Sequence, residues 1–410
     1  MQKTKKTALV LGGGGSRGAY EIGVWQALRE MGIKIDLVCG TSVGSINGAM
    51  IVQDKFDLAV TLWQELDTSM IFDLDLPDKS SAGTSSKTAK DSSETKKSKG
   101  SEVNIAGIPL DEAKAYAREI LKNGGASTDG LRALLNKYID EDAVRNSSIE
   151  YGLTTVELPS LVPHYLFKEE IPRGKLADYI LASSSIAPAV QPHEIDGTEY
   201  IDGGFADVVP IQLALDKGAE NIIAVNLQAV GILRREKFKE AEKSSDFFKT
   251  ISCAWDLGNV LVFDQDHARR LIRLGYLDTL KSFDILGGNL YAFPRRVFDK
   301  KTLLYAECAA KLFELDPLTI YTRGTFEHAL ADAIIRYQET FRQKNEKSER
   351  FRLPASLESI GKKLSRKTLV LQLAEELRKP TSKQILSSRA ASALIREELN
   401  AARYISAFLL

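Results

Sequence analysis

Apolar residues near the start of the chain form two short continuous runs with a helical pattern between them. The run Thr7–Leu11 ends in four glycines, and its continuous apolar character is typical of a buried strand. Residues 19–31 repeat apolar positions at helical spacing and stop at Gly32, and residues 35–39 form a second strand-like run. This strand–helix–strand order predicts the opening of a parallel sheet with crossover helices.

The later pattern extends this prediction along the chain. A long helix is expected at about 45–70, strands at 151–157, 164–167 and 222–227, and another helix at 175–182. Beyond about residue 290 the pattern is helical. We therefore expect an α/β fold with a mostly parallel central sheet over residues 5–290, followed by a helical C-terminal region over 291–410.

One polar stretch interrupts the α/β pattern, at about residues 78–102. It is rich in Ser, Thr and Lys and has almost no apolar residue. Such a segment cannot bury enough surface to offset the entropy lost on ordering, so we expect a flexible insertion.

Composition limits the function classes. The chain has 410 residues, of which 44% are apolar, enough for a sizeable core. Its 55 basic and 55 acidic residues cancel, so no global charge draws it to nucleic acid. Three distant cysteines (Cys39, Cys253, Cys308) form no disulfide framework or zinc spacing, which favours a reducing, cytoplasmic location. No window has the ~20 apolar residues needed to span a bilayer, so we expect any membrane contact to be peripheral.

The first chemistry-bearing segment is the glycine run 12–15 with Ser16, Arg17 and Gly18, between the first strand and its helix. Its N–H groups and the helix N-terminus make an anion site, suited to a phosphate or to a developing oxyanion. Gly13, Gly15 and Gly18 also fit the dinucleotide fingerprint, with Asp36 about 20 residues further on.

The second segment reads Gly40-Thr41-Ser42-Val43-Gly44, at the end of the second strand and before a helix. This is the context of a nucleophile elbow, in which a tight turn exposes the serine oxygen. It also disfavours a dinucleotide-dependent oxidoreductase, because a ribose-binding acid belongs at the carboxyl end of the second strand. Asp36 stands at the start of that strand instead.

The third segment is Asp202-Gly203-Gly204. Asp196-Gly197 upstream is a good two-residue hairpin turn, which would place residues 200–201 on the returning strand and Asp202 at its end. Alone, this pattern is also that of an ordinary hairpin followed by a loop.

In this order, GGGGSRG, GTSVG and DGG resemble the patatin-like phospholipase family, in its bacterial form. Residues 182–186 and 274–278 are also similar to segments of the family. The resemblance implies a three-layer α/β/α sandwich over roughly residues 5–290. Two positions depart from the family pattern. Asp207-Val208-Val209-Pro210 replaces a common D-N-x-P, and Gln191 replaces an aromatic residue.

The resemblance also implies a chemistry, a Ser–Asp dyad with Ser42 as nucleophile and Asp202 as base. Gly13, Gly14 and Gly15 would stabilise the oxyanion, and Arg17 would hold either the loop or a phosphate. Gly18, Gly40, Gly44, Gly203 and Gly204 would support these turns. The expected substrate is a phospholipid or another glycerolipid, with no metal or cofactor. The four histidines (His164, His193, His267, His328) are expected to be surface or structural residues.

Two alternatives stay open on the sequence alone. The same fold could serve a lipid-binding or regulatory protein of modest activity, although the intact Ser42 and Asp202 argue against it. At the C-terminus, residues 383–409 carry an apolar helical face beside regularly spaced arginines. That helix suits packing on the body, pairing with a partner or lying on a lipid surface.

Overall fold

The computed structural model describes residues 5–71, 125–344, 365–379 and 395–409. The predicted insertion at 78–102 lies outside the described residues. The chain divides into two compact units, Met1–Thr279 and Leu280–Leu410.

The strands come mostly from the first unit. They are β1 (Thr7–Leu11), β2 (Leu37–Thr41), β3 (Glu150–Leu158), β4 (Val162–Phe167), β5 (His193–Ile195), β6 (Thr198–Asp202), β7 (Asn221–Asn226), β8 (Phe247–Ser252), β9 (Leu286–Gly287) and β10 (Phe293–Pro294).

The helices surround the sheet in the first unit and make up most of the second. They are α1 (Ala19–Glu30), α2 (Val43–Val52), α3 (Phe56–Glu65), α4 (Thr68–Ile71), α5 (Asp129–Tyr138), α6 (Glu141–Asn146), α7 (Leu176–Ser183), α8 (Ile211–Asp216), α9 (Arg235–Ser244), α10 (Gln265–Ser282), α11 (Lys300–Leu312), α12 (Arg323–Lys344), α13 (Arg366–Leu377) and α14 (Arg396–Phe408). Short 3-10 turns cover Gly15–Gly18 and Gly203–Phe205.

Within the described residues, the main sheet of the first unit has eight strands, whose pairing runs β5-β6-β3-β2-β1-β7-β8, with β4 also paired to β3. Strands β2 and β6 pair with successive stretches of β3, Glu150–Thr154 and Thr155–Leu158. The pairs β1–β2, β1–β7, β2–β3 and β7–β8 are parallel. Ala8 and Val10 of β1 pack with Ile211 and Leu213 of α8 on one face. On the other face Val38 of β2 lies under α2 at Gly48. Helices therefore cover both faces of a mostly parallel sheet, which confirms the predicted α/β class.

Strand β3 brings two distant segments together at the carboxyl edge of the sheet. Thr41 of β2 pairs with Thr154, and Asp202 of β6 pairs with the next residue, Thr155. Strand β4 occupies the other side of β3 over the same stretch, so β2 and β6 lie on one side and meet end to end. The residue after Thr41 and the last residue of β6 are thereby neighbours.

The predicted helix at 45–70 is wrong as a single element, because the structure has three helices there, α2, α3 and α4. The chain turns at Asp54, which has a φ of 53°. Asp is one of the few residues that adopt this left-handed conformation without glycine, so no Gly or Pro marks the break. The second strand is also shifted, from the predicted 35–39 to Leu37–Thr41.

The second unit is mainly helical and has its own aromatic core. Phe326 contacts Phe293, Phe298 and Tyr404, all with ring centroids within 6 Å. In α14 the apolar face that the sequence indicates is buried at Leu399, Ala402 and Ile405. Of the three roles left open for that face, packing is therefore the one found in the described part of the helix.

Candidate active site

Ser42 occupies a strained turn between β2 and α2. Its φ is 55° and its ψ is −127°, a conformation that non-glycine residues rarely adopt. The flanking glycines are required by close approach. A Cβ on Gly40 would lie 2.2 Å from the carbonyl oxygen of Gly44, and one on Gly44 would lie 2.5 Å from that of Leu11. This is the local geometry of a nucleophile elbow.

A buried serine holds the backbone of this turn. The N–H of Ser42 donates to Oγ of Ser183 at 2.9 Å, and Ser183 Oγ donates in turn to the carbonyl of Thr154 at 2.7 Å. The sequence marked residues 182–186 only as similar to the family and gave no role to Ser183. The sequence did show a run of serines at the end of a predicted helix. A local pattern does not reveal which distant residue such a serine contacts.

Asp202 lies beside Ser42 at the end of β6 and is 4% exposed. Its Oδ1 accepts a 2.7 Å hydrogen bond from the N–H of Gly204, and Ser42 and Asp202 both lie in the wall of one cavity. Burial raises the pKa of Asp202 to about 6, although the nearby Ser42 hydroxyl and the Gly204 N–H act to lower the pKa. The arrangement gives the carboxylate more basicity than an exposed aspartate has.

The glycine run forms a loop that faces the same point. The N–H of Gly13 donates to the carbonyl of Val208 at 2.8 Å, and that of Ser16 donates to Val260 at 2.8 Å. Between these two anchors, the N–H groups of Gly14 and Gly15 have no acceptor within the part of the chain that the structure describes. Gly15 has a φ of 53°, and a Cβ there would lie 2.0 Å from the Val260 oxygen. Of the three predicted donors, only Gly14 and Gly15 are thus available to a ligand.

Arg17 has a structural position. Its Nε and Nη2 donate to the carbonyl of Gly258 at 2.9 and 2.7 Å, and its Nη1 donates to the carbonyls of Leu227 and Gln228 at 3.1 and 2.8 Å. The guanidinium therefore ties the glycine-rich loop to two neighbouring loops. Of the two roles that the sequence left open, holding the loop fits these contacts.

The supporting glycines pack tightly at the points where the motifs meet. A Cβ on Gly18 would lie 2.4 Å from Cγ2 of Val43, and one on Gly203 would lie 2.1 Å from the Thr154 oxygen. A Cβ on Gly204 would lie 3.0 Å from Oδ1 of Asp202. Larger residues at these positions would displace the turns that carry Ser42 and Asp202.

An apolar cavity opens beside Ser42 and Asp202. It encloses about 1290 Å³, counting the part open to solvent, and Ser42, Asp202 and Gly13–Gly15 lie in its wall. The remaining wall is mostly apolar and includes Met50, Leu62, Leu131, Leu135, Val190 and Phe263. A wall of this composition can accommodate a long hydrocarbon chain.

None of the described residues that line the cavity is a histidine. His164 bonds to Glu157 at 2.9 Å, His193 to Asp178 at 3.2 Å, and His267 to the carbonyl of Leu257 at 2.9 Å. Asp36 lies at the opposite edge of the sheet, where it accepts from the N–H of Thr7 at 3.1 Å. These positions argue against a histidine triad and against a ribose-binding acid.

The family model for patatin-like phospholipases matches residues 9–215, half of the chain and the stretch that holds the elbow, the glycine run and Asp202. The chain belongs to the patatin-like phospholipase family. The family resemblance expected from the three motifs is thereby confirmed.

Sequence identity to individual relatives is low. The chain is 26% identical over 231 residues to a lysophospholipase, nte1, of Aspergillus terreus, which covers 55% of this chain and 12% of that protein. It is 28% identical over 238 residues to the patatin-like phospholipase domain-containing protein ZK370.4 of Caenorhabditis elegans, covering 54% of this chain and 14% of that protein. The chain therefore spans about an eighth of the length of these curated relatives. Among solved structures, VipD from Legionella pneumophila covers 99% of this chain and 92% of its own, at a TM-score of 0.41 and 14% identity.

The two departures from the family pattern lie close to the site. Asp207 is fully buried, and its carbonyl accepts a 2.9 Å hydrogen bond from Oγ1 of Thr41, the residue before the elbow serine. Burial raises the pKa of Asp207 to about 7. Gln191 is exposed, and its N–H donates to the carbonyl of Ala126 at 3.2 Å.

Proposed function

We propose that this protein is a lipid acyl hydrolase of the phospholipase A type. It would cleave carboxylic ester bonds of phospholipids or other glycerolipids through a Ser42–Asp202 dyad. The observation that carries the proposal is the placement of Ser42, on a strained elbow, and the buried carboxylate of Asp202 in the wall of one apolar cavity. Family membership supports the same chemistry.

In the acylation half of the reaction, Oγ of Ser42 bonds to the ester carbonyl carbon as its proton passes to Asp202. The carbonyl π electrons move onto oxygen, and the N–H groups of Gly14 and Gly15 donate to that oxyanion. When the tetrahedral intermediate collapses, the ester C–O bond breaks and the departing alcohol takes the proton from Asp202. The product is an acyl-enzyme on Ser42.

Deacylation repeats these steps with water. Asp202 accepts a proton from a water molecule whose oxygen bonds to the acyl carbon. Collapse then breaks the bond to Ser42 Oγ, which regains the proton, and a fatty acid is released. The side chains of this chain supply every proton transfer, so the proposal needs no metal or cofactor.

The partner that we propose is a lipid surface, contacted peripherally. Within the described residues, no helix is long and apolar enough to cross a membrane. Exposed apolar side chains occur on loops, turns and a strand end at the carboxyl edge of the sheet, the edge that carries Ser42. They are Leu161, Val162, Phe205, Val230 and Ile232, exposed by 62%, 48%, 44%, 94% and 54%. Val230 also lines the cavity. The cytoplasmic location stays a prediction.

A serine-directed fluorophosphonate probe tests the proposal. Wild type should be labelled and should hydrolyse a soluble short-chain ester, whereas Ser42→Ala should do neither while keeping its circular dichroism spectrum. Ser45→Ala is the matched control, because Ser45 lies three residues away with its hydroxyl bonded to the Ser42 carbonyl at 2.6 Å.

Two results would overturn the proposal. An unlabelled, inactive wild type that still binds lipid would favour the alternative of a binding or regulatory protein. If His193→Ala or His267→Ala lost as much turnover as Asp202→Asn, the dyad would be wrong.

A further inference from the structure

Three consecutive serines, Ser183–Ser185, stand at the end of α7. Ser183 and Ser185 are fully buried. The hydroxyl groups of Ser184 and Ser185 donate to carbonyls of their own helix, those of Ile180 and Leu181, both at 3.0 Å. The hydroxyl of Ser183 differs from these two, because both of its partners lie on other elements of the fold.

The Ser183 hydroxyl joins the elbow to the sheet. It accepts from the N–H of Ser42 at 2.9 Å and donates to the carbonyl of Thr154 at 2.7 Å. A hydroxyl can do both at once, whereas the side chain of alanine can do neither. Thr154 is the residue of β3 that pairs with the end of β2, and its neighbour Thr155 pairs with Asp202. The hydroxyl is therefore fixed where the strands that lead to Ser42 and Asp202 meet.

The same turn of chain also holds the backbone of Asp202. The carbonyl of Ser185 accepts a 2.9 Å hydrogen bond from the N–H of Asp202. The turn itself is closed by a 3.2 Å hydrogen bond from the N–H of Ser185 to the carbonyl of Ala182. One short segment therefore binds the backbone of Ser42 through Ser183 and that of Asp202 through Ser185. A shift of either dyad residue relative to the other would lengthen or break one of these bonds.

The elbow needs such support because its backbone is strained. Ser42 has a φ of 55° and a ψ of −127°, and a conformation of this kind persists only where the surrounding structure over-determines it. A buried N–H left without an acceptor would destabilise the turn further. The proposed proton transfer also requires Ser42 to stay within hydrogen-bond reach of Asp202. The acceptor on Ser183 thus stabilises the backbone conformation from which Ser42 would react.

We propose that Ser183 is a positioning residue of the esterase reaction, whose hydroxyl fixes the Ser42 turn against the segment that holds Asp202. The role rests on the proposed function, because it acts through the nucleophile and its base. Ser183 is not among the described residues that line the cavity, and its hydroxyl bonds go to backbone atoms. It is therefore not a catalytic residue.

Ser183→Ala removes the hydroxyl without adding an atom. The Ser42 N–H then loses its acceptor, so kcat for a soluble short-chain ester should fall at least about tenfold, because small misplacements of reacting groups are costly. KM should change less, because the cavity wall is not altered. Labelling of Ser42 by the fluorophosphonate probe should slow as well, because it needs the same attack. Ser183→Thr keeps the hydroxyl and should retain most of the wild-type kcat.

Thr279→Val is the matched control for the loss of a buried hydroxyl. Thr279, on α10, is fully buried, and its Oγ1 donates to the carbonyl of Gly275 at 2.7 Å. This variant should lower the melting temperature without lowering the kcat of the folded protein. Amide hydrogen exchange at single-residue resolution gives a readout independent of turnover. In wild type the N–H of Ser42 should be protected, and in Ser183→Ala it should exchange faster.

The outcomes are distinct. A folded Ser183→Ala with normal kcat, or with normal labelling despite a lower kcat, would overturn the positioning role. A folded Ser183→Thr as impaired as Ser183→Ala would overturn the role of the hydroxyl. If Ser183→Ala did not fold, exchange in wild type would decide, since a Ser42 N–H that exchanges as fast as an exposed amide would exclude the bond to Ser183. If wild type showed neither hydrolysis nor labelling, the proposed function would fail, and exchange would still decide whether Ser183 holds the turn.

Discussion

The carboxylates at the two edges of the main sheet have pKa values shifted in opposite directions. At the amino edge, Glu150 pairs with Lys6 and, at 3.1 Å, with Lys217, and Asp36 pairs with Lys34 at 2.7 Å. Burial alone would raise the pKa of both acids, but the hydrogen bonds from these lysines bring each pKa below its ordinary value. At the carboxyl edge, Asp202 is buried, the neighbouring Ser42 hydroxyl and Gly204 N–H carry no charge, and burial raises its pKa.

The contrast shows where the molecule tolerates unfavourable features. The carboxyl edge also holds the strained Ser42, the unpaired N–H groups of Gly14 and Gly15, and exposed apolar side chains such as Val230. Each of these features lowers stability, and each serves the proposed reaction. Substitutions at the carboxyl edge should therefore change activity, whereas those at the amino edge should change stability alone.

The largest expected effect is that of Asp202→Asn, which should separate activity from stability. Because this variant lacks the proposed base, its kcat should fall by on the order of 10³-fold or more. Adding Ser42→Ala should reduce kcat little further, because the two residues are proposed to act as a unit. Turnover of a soluble ester by the single and double variants measures this. A variant with more than a tenth of wild-type kcat would show that Asp202 is not the base.

The same variant should be more stable than wild type above pH 6. Because burial raises the pKa of Asp202 from 3.8 to about 6, the folded state holds the proton more tightly than the unfolded state. This contribution is complete below pH about 4 and is lost as pH rises through 6. The loss is on the order of 3 kcal/mol, at about 1.4 kcal/mol per pKa unit. Urea unfolding at pH 5 and pH 8 should show that the unfolding free energy of Asp202→Asn exceeds that of wild type by an amount that grows with pH.

Gly14→Ala should give the next largest effect, on the order of 10²-fold in kcat. Gly14 has a φ of 165°, which any residue adopts, but a Cβ there would lie 2.8 Å from Cδ1 of Leu227 and push the loop away. KM should change less, because the donors act on charge that develops in the transition state. Leu227→Ala controls for altered packing beside the loop. A folded Gly14→Ala with normal kcat would exclude this loop as the oxyanion hole.

The third prediction is an acid limb in the activity profile. In the proposed reaction Asp202 must be deprotonated to accept the proton of Ser42, and burial raises the pKa of its carboxyl group to about 6. The value of kcat/KM should therefore fall about tenfold per pH unit below 6 and be level just above it. A limb near pH 4 would mean that Asp202 behaves as an exposed carboxylate in the working enzyme.

The sequence predicted what is local in this site. The elbow, the glycine run and the Asp202 hairpin each lie within about ten residues, and each carries its own turn chemistry. The fold class was predictable as well, because strand and helix periodicities alternate in the first unit. The family pattern added the order of the three segments.

What the sequence could not predict depends on distant contacts. Ser183 and Arg17 hold the elbow and the loop through partners up to 241 residues away. The meeting of Thr41 and Asp202 depends on consecutive residues of β3, more than 45 positions from either partner. Gly13 was expected as an oxyanion donor, but only the fold shows that Val208 accepts its N–H.

A smaller effect is expected for turnover on lipid vesicles, and it should differ between substitutions of two phenylalanines at opposite edges of the sheet. Phe205 is 44% exposed at the carboxyl edge, and Phe247 is 37% exposed at the start of β8, on the amino edge. If the carboxyl edge contacts lipid, Phe205→Ser and Leu161→Ser should lower turnover on phosphatidylcholine vesicles several-fold, relative to turnover of a soluble ester. Phe247→Ser should leave that ratio unchanged. Equal ratios for all three variants would place the lipid contact elsewhere.

The smallest effect belongs to the amino edge, in Glu150→Gln. The Glu150 side chain is 29% exposed and solvent screens its ion pairs, so the loss should be at most about 1 kcal/mol of unfolding free energy. Because lysine contacts lower the pKa of Glu150, this contribution is present at neutral pH and lost as pH falls below about 4. Urea unfolding at pH 7 and pH 4 measures it, with Glu169→Gln as a control, since that carboxylate is 56% exposed and 3.9 Å from Lys217. The decisive readout is kcat, which should equal that of wild type. A loss of turnover in Glu150→Gln would show that the two edges are coupled through β3.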